Sequence, residues 1–355
     1  MTQARRRTGL FLGAIIMVAG GIISIVGGPD DEPAWLRGQS LSEAVAALPR
    51  VQRGQGDGVQ FDSAQAADFT ALVTDAAAGR LAAARDRAGS LGYKIDDVVR
   101  DAGKFVVLSP RGRTGKPTVV LSVSAGRDLI AEAPHPLFER GTAQQAVALV
   151  EESGARAAIV AGAHRCAASA PSSSPGRTRV CNPEPGKGKP QPYKVSDAAH
   201  SVDTLFHTAH LVLANLWPAA VIVQFHGMSR GRRDPESPFE TWFIVSSGPS
   251  SDPGTSPLSV RLRDALRRRL GSDPGLAVSC QDPQDHAQYR YRRLCGHDNV
   301  QWRAFRDALQ VGFASPGSEF LHIEQRVDPI LRSRDLSRIL RESLEALAPD
   351  VRHPH

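Results

Sequence analysis

Lysine and aromatic residues are scarce in this chain of 355 residues. Six of its 43 basic residues are Lys, and Phe, Trp and Tyr together make up 6%. Few aromatics lie among the Arg clusters, so the stacking platforms used by single-stranded nucleic acid are missing. No nucleic-acid-binding motif replaces them, and nucleic acid is not expected as a partner. The net charge of +6 then describes a general surface with a mild preference for anionic partners. Cysteine is scarce too: four residues are too few for a disulfide scaffold, and they are not spaced as a zinc ribbon. The P-loop, the dinucleotide-binding GxGxxG and the zincin HExxH are absent. Apolar residues are not lacking. At 41%, against 23% charged, they exclude wholesale disorder. The length admits two or three domains, or one large α/β domain.

Arg5, Arg6 and Arg7 precede an uncharged run from Thr8 to Pro29. About 20 residues of helix span a hydrocarbon layer. Positive charge stays cytoplasmic, which places everything after Asp30 outside the inner face. Residues 1–29 are therefore an uncleaved anchor or a cleaved signal peptide. Their length, and the lack of a clear A-x-A site, favour the anchor. The expected location is the cell envelope, held to the membrane by this helix, or the exterior if the segment is cleaved. The cysteines fit export. Cys166 and Cys181 flank one polar loop, and Cys280 and Cys295 flank another. Each local pair would close a loop of ~15 residues, worth ~3 kcal/mol. An oxidising compartment lets both form.

Residues 30–104 read as a helical cap or spacer. Leu41, Ala44, Val45 and Leu48 recur at helical spacing, as do Phe69, Leu72 and Val73. From 105 to 350 the pattern changes. Short apolar runs begin at Phe105, Thr118, Leu129, Ala157, Ala220, Thr241, Ala277 and Phe320. Helical stretches lie between several of them, over 142–153, 201–216, 258–270 and 300–311, with a last helix over 335–347. This alternation predicts an α/β domain with a mixed, mainly parallel sheet flanked by helices. Sites in such sheets collect at the carboxyl ends of the strands. Residues 167–194, rich in Pro, Ser, Gly and basic residues, form a long loop inserted in this domain.

Six of the eleven histidines fall between 135 and 226. His135 follows the run Leu129–Ala133, and His226 follows Ala220–Phe225. One such residue is ordinarily a hydrogen-bonded structural histidine. Two at matching strand ends, with a carboxylate nearby, suggest a zinc site of the catalytic type, with three protein ligands and an open position. The carboxylate is Glu139 or Glu132. Glu132 lies three residues before His135, so a continuing strand would point it the other way. A turn after Pro136 would bring Glu139 back beside His135. A zinc hydrolase also needs a proton acceptor. Glu324, at the end of the run begun by Phe320, fits; His322 shares its face. Arg165 suits a substrate carboxylate or a salt bridge to the loop. His200, His207 and His210 either line the pocket or form a second metal site. Ser246-Ser247-Gly248 is a weaker candidate for a serine nucleophile.

Taken in order, PHP with an acidic residue four places after His135, then Ala163-His164-Arg165, then Phe225-His226-Gly227-Met228, then His322-Ile323-Glu324-Gln325-Arg326 resemble one known group. It is the N-formylglutamate amidohydrolase and poly-γ-glutamate hydrolase branch of the zinc carboxypeptidase-like superfamily. The resemblance runs from about 118 to 345. It implies a mixed α/β sheet and one zinc held by His135, Glu139 and His226. It also implies Glu324 as the base and Arg165 as the binder of a substrate carboxylate. The chain departs from the pattern at Pro136-Leu137-Phe138, where the branch has a small Gly-containing turn, and in the 167–194 loop. The expected activity is zinc-dependent hydrolysis of amide or peptide bonds in carboxylate-bearing substrates of γ-glutamyl or cell-wall type. Two rivals stand beside it: a non-catalytic envelope binding protein on a degenerate hydrolase fold, and a basic protein that binds anionic polymers.

Overall fold

The first two helices start where the sequence supplies a cap. Ser40 and Glu43 close a reciprocal capping box on α1 (Leu41–Ala47), and Asp62 and Gln65 do the same for α2 (Ser63–Ala77). The Glu151 carboxylate also accepts from the free Leu41 and Ser42 amides, at 2.8 and 3.0 Å. The structure is a computed structural model that describes residues 33–56, 59–228, 241–247, 257–271, 274–285, 294–304, 319–327 and 334–347. The membrane segment expected within 1–29 and the second half of the helix expected over 300–311 lie outside these residues. Among the described residues no helix is long and apolar enough to cross a membrane.

After α3 (Leu81–Ser90) the strands begin: β1 (Tyr93–Arg100), β2 (Gly103–Pro110), β3 (Gly115–Ser122) and β4 (Arg127–Ala133). Then come α4 (Thr142–Ser153), β5 (Ala155–Gly162), the short pair β6 (Arg177–Thr178) and β7 (Gln191–Pro192), and α5 (Leu205–Leu216). The chain continues through β8 (Val221–Met228), β9 (Phe243–Ser246), α6 (Leu258–Leu270), β10 (Ala277–Ser279), β11 (Phe320–Arg326) and α7 (Arg334–Glu345). One nine-stranded sheet runs β1-β2-β3-β5-β4-β8-β11-β9-β10. Its centre, β5-β4-β8-β11, is parallel throughout. The β1-β2-β3 flank joins it antiparallel.

The helical zone stops at Ser90 rather than reaching 104, because Tyr93–Arg100 is a strand. Tyr93 and Val98 are buried while Lys94, Asp97 and Val99 are exposed. Charges on an outermost strand hinder edge-to-edge pairing, and they also hide the two-residue alternation that marks a strand. The helices over 63–90 rest directly on the sheet: Phe69, Leu72 and Val73 share a core with Val106, Leu108, Ile130 and Ile159.

Alternation assigns the central strands to two layers. Leu129 and Ala131 of β4, Val221 and Val223 of β8, and Leu321 and Ile323 of β11 face one core with α1, α4, α6 and α7. Ile130, Ile222 and Phe320 face the other, with α2, α3 and α5. The second face also carries the polar residues in step with them: Glu132, Gln224, His226, His322 and Glu324. A cavity of about 660 Å³, lined by Ser42, Gln145, Leu149, Phe225 and Arg338 among others, includes none of the histidines. Both disulfides are present, Cys166–Cys181 and Cys280–Cys295, with Cα separations of 5.3 and 6.0 Å. The 167–194 segment folds back on itself through β6–β7 and a bridge between Pro171 and Lys194.

Candidate metal centre

Four consecutive parallel strands bring polar residues to one edge. In sheet order, β5 leads to Arg165, β4 to His135, β8 carries His226 and β11 carries Glu324. His226 and Glu324 are register partners on adjacent strands. Beyond β4 the chain makes a helical turn: the Phe138 and Glu139 amides both donate to the His135 carbonyl, at 3.0 and 2.8 Å. Residues four apart on such a turn share a side. Glu139 Oε1 accordingly lies 2.9 Å from His135 Nδ1, and Glu139 Oε2 lies 3.2 Å from His226 Nδ1. Gly227 leaves room for this approach, since a Cβ there would stand 3.1 Å from the Glu139 Cβ.

His135, Glu139 and His226 are all buried, and one ligand atom from each lies within 4.8 Å of the others. The outer nitrogen of each imidazole is already engaged. His135 Nε2 lies 2.8 Å from Asp197 Oδ1, and His226 Nε2 lies 2.7 Å from Gln224 Oε1. The Gln224 amide nitrogen donates to Glu132 Oε2 at 2.8 Å, which makes its oxygen the acceptor for His226. His226 Nε2 therefore donates outward and its Nδ1 lone pair faces inward, while His135 turns Nε2 to Asp197 and Nδ1 inward to Glu139. Metal-ligating histidines ordinarily hold their second nitrogen in this way.

A lone pair facing a carboxylate oxygen at 2.9 Å is repulsive unless a proton or a cation lies between them. Glu139 Oε2 has no hydrogen-bond partner although it is buried. An atom of that kind ordinarily marks the place of an ion, a water or a strained site. The donor set, two imidazoles and one carboxylate, suits zinc. Electrostatics points the same way. Burial raises the Glu139 carboxyl, but His135 and His226 outweigh it and hold it below its usual range. Burial lowers His226 to about 4 against the pull of Glu139, leaving its imidazole neutral at pH 7. Burial and Arg165 lower His135, yet Glu139 and Asp197 together leave it raised. The two carboxylates outnumber the one guanidinium, and the shortfall of positive charge falls on His135.

Arg165 does not stand free for a substrate. Its Nε and one terminal nitrogen donate to Asp197 Oδ2 at 3.1 and 2.7 Å. The other terminal nitrogen lies 3.6 Å from Glu139 Oε1, and the guanidinium sits over the Phe138 ring. His200 Nδ1 donates to Asp197 Oδ1 at 3.0 Å, and the ring stacks on Tyr193, with centroids 4.1 Å apart. His207 joins a different group: it faces Gln301 at 3.4 Å and stacks on His210. Glu132 pairs with His210 at 2.8 Å on the α5 side, while Glu139 meets His135. Glu324 is buried, with His322 Nε2 3.4 Å away.

Two participants were not foreseen. Asp197, fully buried, fixes His135, Arg165 and His200 together; its place before His200 was the one available signal. Gln224 orients His226, and their two-residue spacing on a strand was readable. The run Gly227-Met228-Ser229-Arg230-Gly231 spells G-x-S-x-G, which has a mechanism of its own. Ser229 lies outside the described residues.

No family model and no curated protein matches the sequence. Solved structures similar to this chain include an N-formylglutamate amidohydrolase from Ralstonia eutropha JMP134. The two are 15% identical, align over 66% of this chain and 95% of that one, and have a TM-score of 0.35. A gene product of Agrobacterium tumefaciens is 16% identical over 66% of this chain and 93% of its own, with a TM-score of 0.39. A candidate metallopeptidase from Shewanella baltica OS155 is 14% identical over 84% and 100%, with a TM-score of 0.34. The first carries the family name that the motifs suggest. The chemistry assigned below rests on this chain's own side chains.

Proposed function

We propose that this chain is an exported, zinc-dependent hydrolase of amide or peptide bonds in carboxylate-bearing substrates of γ-glutamyl or cell-wall type. The supporting observation is the convergence of two Nδ1 atoms on the Glu139 carboxylate, with both Nε2 atoms engaged outward. His135, Glu139 and His226 would hold the ion. Bound there, zinc supplies Lewis acidity, polarising a carbonyl and making water acidic near pH 7. Glu324 takes a proton from the attacking water and returns it to the leaving nitrogen. Asp197 holds His135 and Arg165 in place. The basic surface favours acidic substrates. Two disulfides fit an oxidising envelope compartment.

Metal analysis tests the reading. Wild type is expected to carry about one zinc per chain, as a three-ligand catalytic site does. His135→Ala and His226→Ala are expected to carry almost none, and equal content in all three would remove the site. Glu324→Gln should keep zinc and lose turnover; a non-catalytic binding protein would be indifferent to it. Turnover should vanish with a chelator and survive Ser229→Ala.

A further inference from the structure

Among the described residues, the buried histidines have hydrogen-bond partners, with one exception. His135, His207, His210 and His226 each make a hydrogen bond. His322 is 5% exposed, and among the described residues neither of its ring nitrogens has a hydrogen-bond partner, although Nε2 lies 3.4 Å from Glu324 Oε1. Two unsatisfied nitrogens on a buried ring are costly, and a merely structural histidine would not be expected to keep them.

The ring is closely packed. His226 lies beside it, with centroids 4.3 Å apart. Gly296 also adjoins it: a Cβ there would stand 2.9 Å from the His322 Cγ and 3.0 Å from its Nδ1. Gly296 also has φ +68°, so a side chain there would be strained as well as crowded. It follows Cys295, which the disulfide ties to Cys280. The ring thus has a fixed place beside the centre, and Nε2 comes within 3.4 Å of Glu324 Oε1.

We propose that His322 is a further catalytic residue, contacting the scissile amide of the substrate next to Glu324. A neutral imidazole offers one donor and one acceptor, and an amide offers the complementary pair. This rests on the hydrolase reading above.

The test uses the zinc-loaded full chain and acetohydroxamate, a small probe with an amide-like carbonyl and N–H. Zinc content, melting of the metal-free protein and probe affinity by calorimetry are measured for wild type, His322→Phe, His322→Ala and His322→Asn. Phe crowds Gly296, so Ala is read beside it. Phe and Ala variants are expected to keep zinc and to bind the probe about tenfold more weakly, the worth of one hydrogen bond to a ligand. Asn, which keeps a donor and an acceptor, should recover part of the loss. The metal-free Phe variant should melt no lower than wild type, since an unsatisfied polar group has left the interior. Normal zinc with probe affinity indifferent to residue 322 overturns this proposal alone. A wild type that takes up no zinc overturns the hydrolase reading and this proposal together.

Discussion

His135 has a carboxylate at each ring nitrogen, Glu139 at 2.9 Å and Asp197 at 2.8 Å, and each belongs to a cluster with the ligand types of a metal site. The distances barely differ; the surroundings do. Asp197 accepts from His135, His200 and two nitrogens of Arg165, so its charge is already matched by a buried guanidinium. Glu139 has Arg165 no closer than 3.6 Å and leaves Oε2 without a hydrogen bond. A cation on the Asp197 side would meet Arg165, whereas on the Glu139 side it would meet two Nδ1 atoms and an unsatisfied oxygen. Local charge balance, more than ligand spacing, selects the Glu139 side.

The sharpest way to break this contrast is to delete each carboxylate. Glu139→Ala removes the proposed ligand and should abolish zinc uptake. The fold is expected to persist, with melting of the metal-free protein lowered less than by the loss of Asp197. Asp197→Ala strands Arg165 in the interior and should cost ~3–5 kcal/mol of stability, as other broken buried pairs do. Denaturant unfolding of the two metal-free variants checks both. Equal destabilisation would show that the two carboxylates are equivalent after all.

Acid sharpens the same contrast. Burial lowers His226 to about 4, and burial with His210 lowers His207 to about 3. The unfolded chain holds histidine near 6.5. Below that value it binds more protons than the folded chain, so the stability these two residues contribute is present above about 6.5 and is lost as the pH falls toward 4. Asp197 is held low despite burial by Arg165 and the neighbouring histidines, and its contribution is lost at lower pH still. His135, raised, has the opposite sign: its contribution is present below 6.5 and is lost as the pH rises through its folded value. The metal-free protein should therefore melt progressively lower from pH 6.5 to 4.5, and His207→Phe should flatten the slope. A flat wild-type profile would contradict the assignment of neutral, buried imidazoles.

How much of this was legible depended on sequence distance. The strands flanking the centre are short, mostly apolar runs, so their existence and carboxyl ends could be read, and with them the places of His135 and His226. Glu139 was reachable because a turn after Pro136 brings a residue four places on back to its start. Asp197 was not, since it lies 62 residues from His135 and follows a loop without periodicity. For the same reason Arg165 could be read as free for a substrate: its partner lay beyond that loop. Strand β1 was missed because the edge charges that protect it erase its pattern. In His322, the shared face with Glu324 was visible, but not its lack of partners, which only packing reveals.

The mildest expected effect concerns the two outer supports. His135 is steadied by a charged partner, Asp197, and His226 by a neutral one, Gln224, which leads on to Glu132 and His210. Asn299 and Gln301 also bond Gln224, so its amide has little freedom to turn over. Gln224→Leu would leave the His226 Nε2 without its acceptor and release the ring to present either nitrogen. The zinc affinity, measured by chelator competition, should then fall about 10–100-fold, as it does when other such supports are removed. That loss is smaller than the one expected from His226→Ala, because the ligand itself remains. An unchanged affinity would mean that packing against His322, and not the hydrogen bond, sets the orientation of His226.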